Sequence, residues 1–281
     1  MDYTYRSLTD TLDKGGVDDP ASEAAILLEH VFGVSYASVM TDKTRSYASP
    51  DLDAAIARRL AREPLQYILG RWDFFGCRFT VTPHCLIPRP DTELLVETAL
   101  GSLPRGGRFA DLCTGSGCIA VALLHARPDL TAHALELYPE TLKLAVRNAA
   151  DNGVLPRFTP VEADLLGDGA DQLAPHAPFD AILSNPPYIP SDVIPTLSPE
   201  VRREPHAALD GGADGLTFYR AILERYASLV RPGGQILLEI GYDQADALRA
   251  LTEAYLPTAS IRILRDLGGN DRVAQITLPA N

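Results

Sequence analysis

Cysteine is scarce in this chain of 281 residues. The four present, Cys77, Cys85, Cys113 and Cys118, never fall at C-x-x-C spacing, which argues against the usual zinc and dithiol redox sites. The six histidines, at positions 30, 84, 125, 133, 176 and 206, are too scattered to suggest a ligand cluster, so no metal is expected. Basic charge is also short: 25 Lys and Arg against 37 Asp and Glu leave a net charge of −12. Proteins that grip a phosphate backbone usually carry a basic face. The balance therefore favours a protein or small-molecule substrate, and no stable nucleic-acid binding is expected. No apolar run approaches the length of a membrane span, and the N-terminus lacks an apolar signal core. With free thiols that suit a reducing compartment, these absences predict a cytoplasmic protein without a membrane partner. Low-complexity runs and internal repeats are absent too.

What is present is ordinary globular material, 46% hydrophobic and 22% charged, enough for a sizeable core. The spacing of Ala24, Ile26, Leu27, Leu28 and Val31 predicts a helix over Ala21 to Phe32, and Leu52, Ala55, Ile56 and Leu60 predict another over Asp51 to Arg62. Pro20, Pro50 and Pro64 stand where helices begin. The aromatic, glycine-centred stretch Trp72 to Val81 reads as a β-hairpin. Beyond it strands and helices alternate. Strands are predicted at Arg108 to Leu112, Thr131 to Glu136, Phe158 to Ala163, Phe179 to Ser184 and Gly234 to Ile240. Helices are predicted at Gly117 to Ala126, Pro139 to Asn152, Leu216 to Leu229 and Ala245 to Ala254. Ser260 to Leu264 and Arg272 to Leu278 close the chain as an antiparallel hairpin. The expected fold class is α/β: a seven-stranded Rossmann-like domain with a small N-terminal helical bundle joined to it by a β-hairpin. The expected boundaries are residues 1–71 for the bundle, 72–89 for the hairpin linker and 90–281 for the α/β domain.

In such folds ligands bind beyond the carboxyl ends of the strands. The first strand ends in Asp111-Leu112-Cys113-Thr114-Gly115-Ser116-Gly117, where glycines permit a sharp turn and backbone N–H groups point at a ligand. The second ends in Glu136, nineteen residues after Gly117 and placed to accept ribose hydroxyls. Asp164 follows the third, placed to bond an exocyclic adenine amine. The turn also fits the G-x-G-x-x-[G/A] pattern of dinucleotide enzymes, so a nicotinamide oxidoreductase stays open at this point.

The fourth strand runs into Ser184-Asn185-Pro186-Pro187-Tyr188. Pro186 keeps Asn185 extended, and two prolines stiffen the rim while supplying no N–H. The Asn185 side-chain oxygen and the Pro186 carbonyl can each take one hydrogen of a substrate NH2, and Tyr188 offers a flat face. An amide nitrogen is a poor nucleophile because its lone pair is delocalised. Two acceptors on its hydrogens raise its electron density and favour the positive charge that develops on it. The clamp predicts methyl transfer to a planar amide or amine from S-adenosyl-L-methionine.

Nearly end to end, the chain resembles the HemK/PrmC family of protein-(glutamine-N5) methyltransferases, which act on peptide chain release factors. The resemblance rests on Pro64-Leu65-Gln66-Tyr67-Ile68-Leu69-Gly70, Phe74-Phe75-Gly76, Leu86-Ile87-Pro88-Arg89-Pro90-Asp91-Thr92-Glu93 and the Gly115 turn. It continues through Asn185-Pro186-Pro187-Tyr188, Glu204-Pro205, Ala208-Leu209, Gly215-Leu216 and Asp266 to Arg272. It implies a helical N-terminal domain that helps hold the release factor, and the glutamine of a Gly-Gly-Gln loop as methyl acceptor. Asn185, Pro186 and Tyr188 would be catalytic, with Pro187 also contacting substrate. Cys113, Thr114, Gly115, Ser116, Gly117, Glu136, Asp164, Leu165 and Asn185 would hold the cofactor, S-adenosyl-L-methionine. A monomer is expected. Three positions depart from the family pattern: Cys113 replaces glycine, Glu136 replaces aspartate, and Leu165 stands where an aromatic residue often follows the acid.

Other residues are read more plainly. Arg89 fits a substrate entrance or a structural salt bridge. Glu93 and Glu97 share a helix face, more simply solvated than metal-binding. Glu200 to Glu204 suit a lid or partner surface, and Asp266 to Arg272 a turn with an ion pair. An adenine-N6 DNA methyltransferase would use the same clamp on a flipped base, but the acidic balance argues against it. A non-catalytic release-factor binding module is the remaining alternative.

Overall fold

The computed structural model describes residues 2–280, which cluster into two compact units. The first comprises the chain up to Arg71 together with Ser198–Arg203. Its helices are α1 (Tyr5–Lys14), α2 (Pro20–Phe32), α3 (Tyr36–Thr41), α4 (Pro50–Leu60) and α5 (Leu65–Leu69). Their starts follow local chemistry. Thr4 and Ser7 form a reciprocal capping box on α1, and Asp19 and Ser49 cap α2 and α4 ahead of a proline in the first turn. Gly33 and Gly70 end α2 and α5 in the left-handed conformation. Leu8, Leu12, Leu27, Leu28 and Leu52 are fully buried between them, each worth about 1.5–3 kcal/mol of transfer free energy.

The hexapeptide Ser198–Arg203 joins this unit through charge. The Arg59 guanidinium, with 5% of its side chain exposed, binds Glu23 at 2.6 Å and Glu200 at 2.9 Å. Arg203 Nη2 donates to the Ala61 carbonyl at 2.6 Å. A buried guanidinium demands acceptors, and α4 alone offers too few.

The second unit comprises Trp72–Leu197 and the chain from Glu204 onward. Strands β1 (Arg71–Phe74) and β2 (Cys77–Thr80) form a small sheet of their own. Phe75 and Gly76 connect them at φ +48° and +74°, as a two-residue primed turn requires. Then come α6 (Glu93–Ser102), β3 (Arg108–Leu112), α7 (Cys118–Ala126), β4 (Thr131–Glu136), α8 (Pro139–Asp151), β5 (Phe158–Glu162), α9 (Gly169–Leu173) and β6 (Phe179–Ser184). The chain finishes with α10 (Thr217–Ala221), β7 (Val230–Glu239), α11 (Ala245–Tyr255), β8 (Ser260–Arg265) and β9 (Asp271–Thr277). The seven-stranded sheet has the order β5-β4-β3-β6-β7-β9-β8, with β9 antiparallel to both neighbours and the remaining pairs parallel. This is the expected Rossmann-like α/β fold with its terminal hairpin. Runs such as Ala181-Ile182-Leu183 are buried throughout, as strands covered on both faces must be. Among the described residues, no helix is long and apolar enough to cross a membrane.

One helix departs from expectation. The predicted regular helix Leu216 to Leu229 is instead α10, a π-helical turn over Ile222–Tyr226 and a 3-10 turn over Ala227–Leu229. Tyr219 and Tyr226 on this segment are completely buried, and their hydroxyls need acceptors. They find the carbonyls of Glu239 and Leu165, both at 2.8 Å.

Behind the Pro187–Tyr188 segment the backbone is packed without side chains. Ile189 N donates to the Leu209 carbonyl and Gly211 N to the Ile189 carbonyl. A Cβ on Gly211 would stand 2.8 Å from Tyr188 Cα and 2.9 Å from the Pro187 carbonyl oxygen. Gly211→Ala is therefore expected to destabilise the protein by about 1–3 kcal/mol, the usual cost of overpacking. Thermal unfolding checks this, and an unchanged midpoint would show that the segment yields freely.

Candidate active site

Strand register brings the candidate residues together. Leu112 pairs with Leu135 on one side and with Ser184 on the other. Parallel neighbours lie about 4.8 Å apart, so the chain leaves β3, β4 and β6 at the same height. A cavity of about 410 Å³ opens there. Cys113, Thr114, Gly115, Ser116, Glu136, Asp164, Leu165, Asn185 and Pro187 line it. Gly117, Pro186 and Tyr188 are not part of its wall.

The turn after β3 is tight. Cys113, Gly115 and Gly117 have φ of +57°, +57° and +80°. Gly117 brings α7 close to α8, where an added Cβ would meet that of Ala145 at 3.2 Å. Cys113 adopts a conformation that glycine takes freely, at a cost of roughly 1–2 kcal/mol for a side chain. Compensating bonds hold it. Thr114 N donates to the Leu135 carbonyl at 3.0 Å, and Thr114 Oγ1 donates to Asp111 Oδ2 at 2.6 Å.

Glu136 ties two loops together. Its Oε2 accepts from Gly115 N at 3.0 Å, and its Oε1 from Leu137 N at 3.0 Å and Tyr138 N at 3.1 Å. Burial raises its pKa, and these three N–H donors oppose the rise. Asp164 Oδ1 accepts from Leu166 N at 2.8 Å, closing a local turn, and Leu165 is almost fully buried.

Asn185 is half-buried, and its Nδ2 donates to Thr92 Oγ1 at 3.2 Å. Pro186 and Pro187 are buried. The Tyr188 ring packs against the core of the sheet. Burial and the Glu239 carboxylate hold its phenol protonated, with Arg272 pulling the other way. Its carbonyl accepts from Gln244 Nε2 at 2.9 Å.

Several residues near the site went unassigned in the sequence. Thr92 and Glu239 are each 1% exposed. Glu239 ends β7, and burial pushes its carboxyl up to about 7. Arg89 pairs with Glu204, whose Oε2 also accepts from Ile87 N at 2.9 Å. Arg89 thus makes a salt bridge while lining the cavity. Arg272 binds Asp266 at 3.2 Å and Asp91 at 3.3 Å. Glu93 accepts from Phe75 N at 2.9 Å, a structural bond. Cys85, Cys113 and Cys118 all line the cavity. Burial pushes Cys85 up to about 11 and Cys118 up to about 12, and raises Cys113 with help from the Glu136 and Asp111 carboxylates. Among the described residues, no group of three or more His, Cys, Asp or Glu is placed to hold a metal ion.

Asp111, under the turn, is fully buried, and its Oδ1 has no hydrogen-bond partner. Burial pushes its carboxyl up to about 7, against the bonds from Thr114 and Ala120. A raised folded-state pKa means that the native protein binds the extra proton between about pH 4 and 7. Stability from this group is full below the unfolded pKa and is lost as pH rises through about 7, at up to about 1.4 kcal/mol per pH unit. Asp111→Asn is expected to lose less stability than the wild type between pH 5 and 8 in urea unfolding. Identical pH slopes would show that Asp111 titrates as it does in water.

Two family models match the chain: the PrmC N-terminal domain over residues 4–70 and the methyltransferase small domain over residues 90–197. A release factor glutamine methyltransferase of Cereibacter sphaeroides is 41% identical over 279 residues, covering 98% of this chain and 97% of that protein. One from Caulobacter vibrioides is 38% identical over 276 residues, covering 96% and 93%. A methyltransferase structure from Pyrococcus furiosus superposes with a TM-score of 0.53 at 18% identity, covering 82% of this chain and 98% of that one. The last likeness shows the fold alone.

Proposed function

We propose, from the premise that the chain belongs to the release factor glutamine methyltransferase family, that it methylates peptide chain release factors. The methyl group passes from S-adenosyl-L-methionine to the side-chain amide nitrogen, N5, of the glutamine in the Gly-Gly-Gln loop. One observation carries this reading: the glycine turn, with Glu136 beside it, and Asn185 wall a single cavity.

The cavity suits the cofactor. Its volume is in the range of small-molecule sites. Gly115 and Ser116 come from a backbone turn that admits close approach, Glu136 and Asp164 offer carboxylates, and Leu165 and Ile119 supply apolar surface. S-adenosyl-L-methionine, when bound, supplies an electrophilic methyl group on a positively charged sulfur. Every other task falls to the chain. Cys113 to Ser116, Glu136, Asp164 and Leu165 would hold the nucleoside and amino-acid parts, with Gly117 shaping the turn. The Asn185 side-chain oxygen, in the cavity wall, takes one hydrogen of the glutamine amide, and the Pro186 carbonyl, outside that wall, takes the other as the substrate seats. That arrangement aims the nitrogen and favours positive charge developing on it. Pro187 and Tyr188 stiffen the ledge. No strong base is required, because the surplus proton leaves to solvent after transfer.

The helical unit, through the segment matching the PrmC N-terminal domain, helps hold the release factor. The reaction belongs in the cytoplasm, in keeping with four free thiols. The net charge of −12 fits a protein substrate better than a nucleic acid, and nothing observed favours the adenine-N6 alternative.

Incubation of a purified release factor with the protein and S-adenosyl-L-methionine, followed by peptide mass spectrometry, should show one added methyl on the Gly-Gly-Gln glutamine. Asn185→Ala should bind S-adenosyl-L-methionine in calorimetry yet transfer methyl about a hundredfold more slowly or worse, as loss of a transition-state hydrogen bond does. An unmodified glutamine after reaction with folded wild-type protein would overturn the assignment.

A further inference from the structure

From Asn185 and Thr92, both in the cavity wall, a short polar chain leads to Glu239 outside it. Asn185 Nδ2 donates to Thr92 Oγ1 at 3.2 Å. The Thr92 side chain also lies beside the Glu239 carboxylate and favours its ionised form. The three residues come from separate elements: Asn185 follows β6, Thr92 ends the 3-10 turn Pro90–Thr92, and Glu239 ends β7. Thr92 and Glu239 are both 1% exposed, and Glu239 Oε2 has no hydrogen-bond partner. A buried carboxylate whose bonds are this few is costly, which asks what the chain gains from it.

The answer lies in the ambiguity of a carboxamide. An asparagine side chain is an acceptor at one end and a double donor at the other, with nearly the same shape either way. A clamp for an NH2 group works only with the oxygen turned toward the substrate. A threonine hydroxyl alone cannot choose the end, because it donates or accepts as required. An ionised carboxylate only accepts. With Glu239 taking the Thr92 hydrogen, the hydroxyl oxygen is left as an acceptor, and the NH2 end of Asn185 must face it. Oδ1 is then left free for the substrate. Burial opposes the ionised carboxylate and pushes its pKa up to about 7, with Asp91 on the same side, while Thr92, Arg272 and Arg89 favour ionisation; the arrangement is therefore complete above about pH 7.

We propose that Thr92 and Glu239 are positioning residues that fix the direction of the Asn185 amide, so that its oxygen always faces the methyl acceptor. This rests on the clamp role of Asn185 proposed above. Thr92 shares the cavity wall with Asn185, and Glu239 lies outside it. Their effect passes through Asn185.

The test uses the full chain, a purified release factor and S-adenosyl-L-methionine, with kcat and KM for the release factor measured beside the calorimetric Kd of S-adenosyl-L-methionine. Thr92→Val keeps the shape and removes the hydroxyl. It should lower kcat by about tenfold or more while leaving KM and that Kd nearly unchanged. Thr92→Ser restores the hydroxyl and should recover most of kcat, which simple repacking would not do. Glu239→Gln can donate as well as accept, so it should lower kcat too without weakening S-adenosyl-L-methionine binding. Should Thr92→Val lose that binding through misfolding, the kcat of Glu239→Gln decides. Wild-type kcat in Thr92→Val, or in Glu239→Gln where that variant decides, overturns the proposal, as does Thr92→Ser no better than Thr92→Val. If Asn185→Ala retains full activity, the clamp itself fails and this inference falls with it. If Asn185→Ala is inactive while Thr92→Val is normal, only the positioning role fails.

Discussion

Parallel pairing of Leu112 with Ser184 is the constraint on which the candidate site depends. It sets the ends of β3 and β6 side by side, one leading into the Gly115 turn and the other into Asn185. A slip of one residue would turn every side chain of β6 to the opposite face, burying what now faces the cavity. The register is held by apolar burial on both faces of the strand and by Ser184 Oγ, which donates to the Leu112 carbonyl at 2.7 Å. Sheet packing and site geometry are thus the same interaction seen from two distances.

The site carries costs that the core must offset. Cys113 sits in the left-handed region, and Asp111 and Glu239 each bury a carboxyl oxygen without a partner. Each such feature costs on the order of 1–3 kcal/mol. Against them stands the packing of fully buried Leu112, Ile182, Ile236 and Leu238 in the same sheet, each contributing about 1.5–3 kcal/mol. Burial wins, which allows polar groups to be fixed where water would otherwise loosen them.

Much of this was legible in the amino-acid order. Apolar runs such as Ala181-Ile182-Leu183 announced the central strands of the large sheet, because parallel strands covered by helices are continuously hydrophobic. The Gly115 turn and the proline pair stand out because glycine and proline leave few backbone choices. Thr92 and Glu239 did not stand out. A threonine in a turn and a glutamate at a strand end look like surface residues until the tertiary fold buries them. The π-helical turn at Ile222–Tyr226 was equally hidden, since no local spacing in the sequence sets it apart from a regular helix. Ser198–Arg203 clusters with the helical unit through Arg59 and Glu200, residues 141 positions apart, a separation no local pattern spans.

The three thiols in the cavity wall bear on a hazard of the chemistry. An alkylating sulfonium reagent will react with any competent sulfur nucleophile nearby, and the thiolate is the competent form. Cys85, Cys113 and Cys118 are kept protonated by burial, and Cys113 further by the negative charges around it. Burial and negative charge in this wall thus hold the three sulfurs in their less nucleophilic form beside the proposed place of the methyl donor.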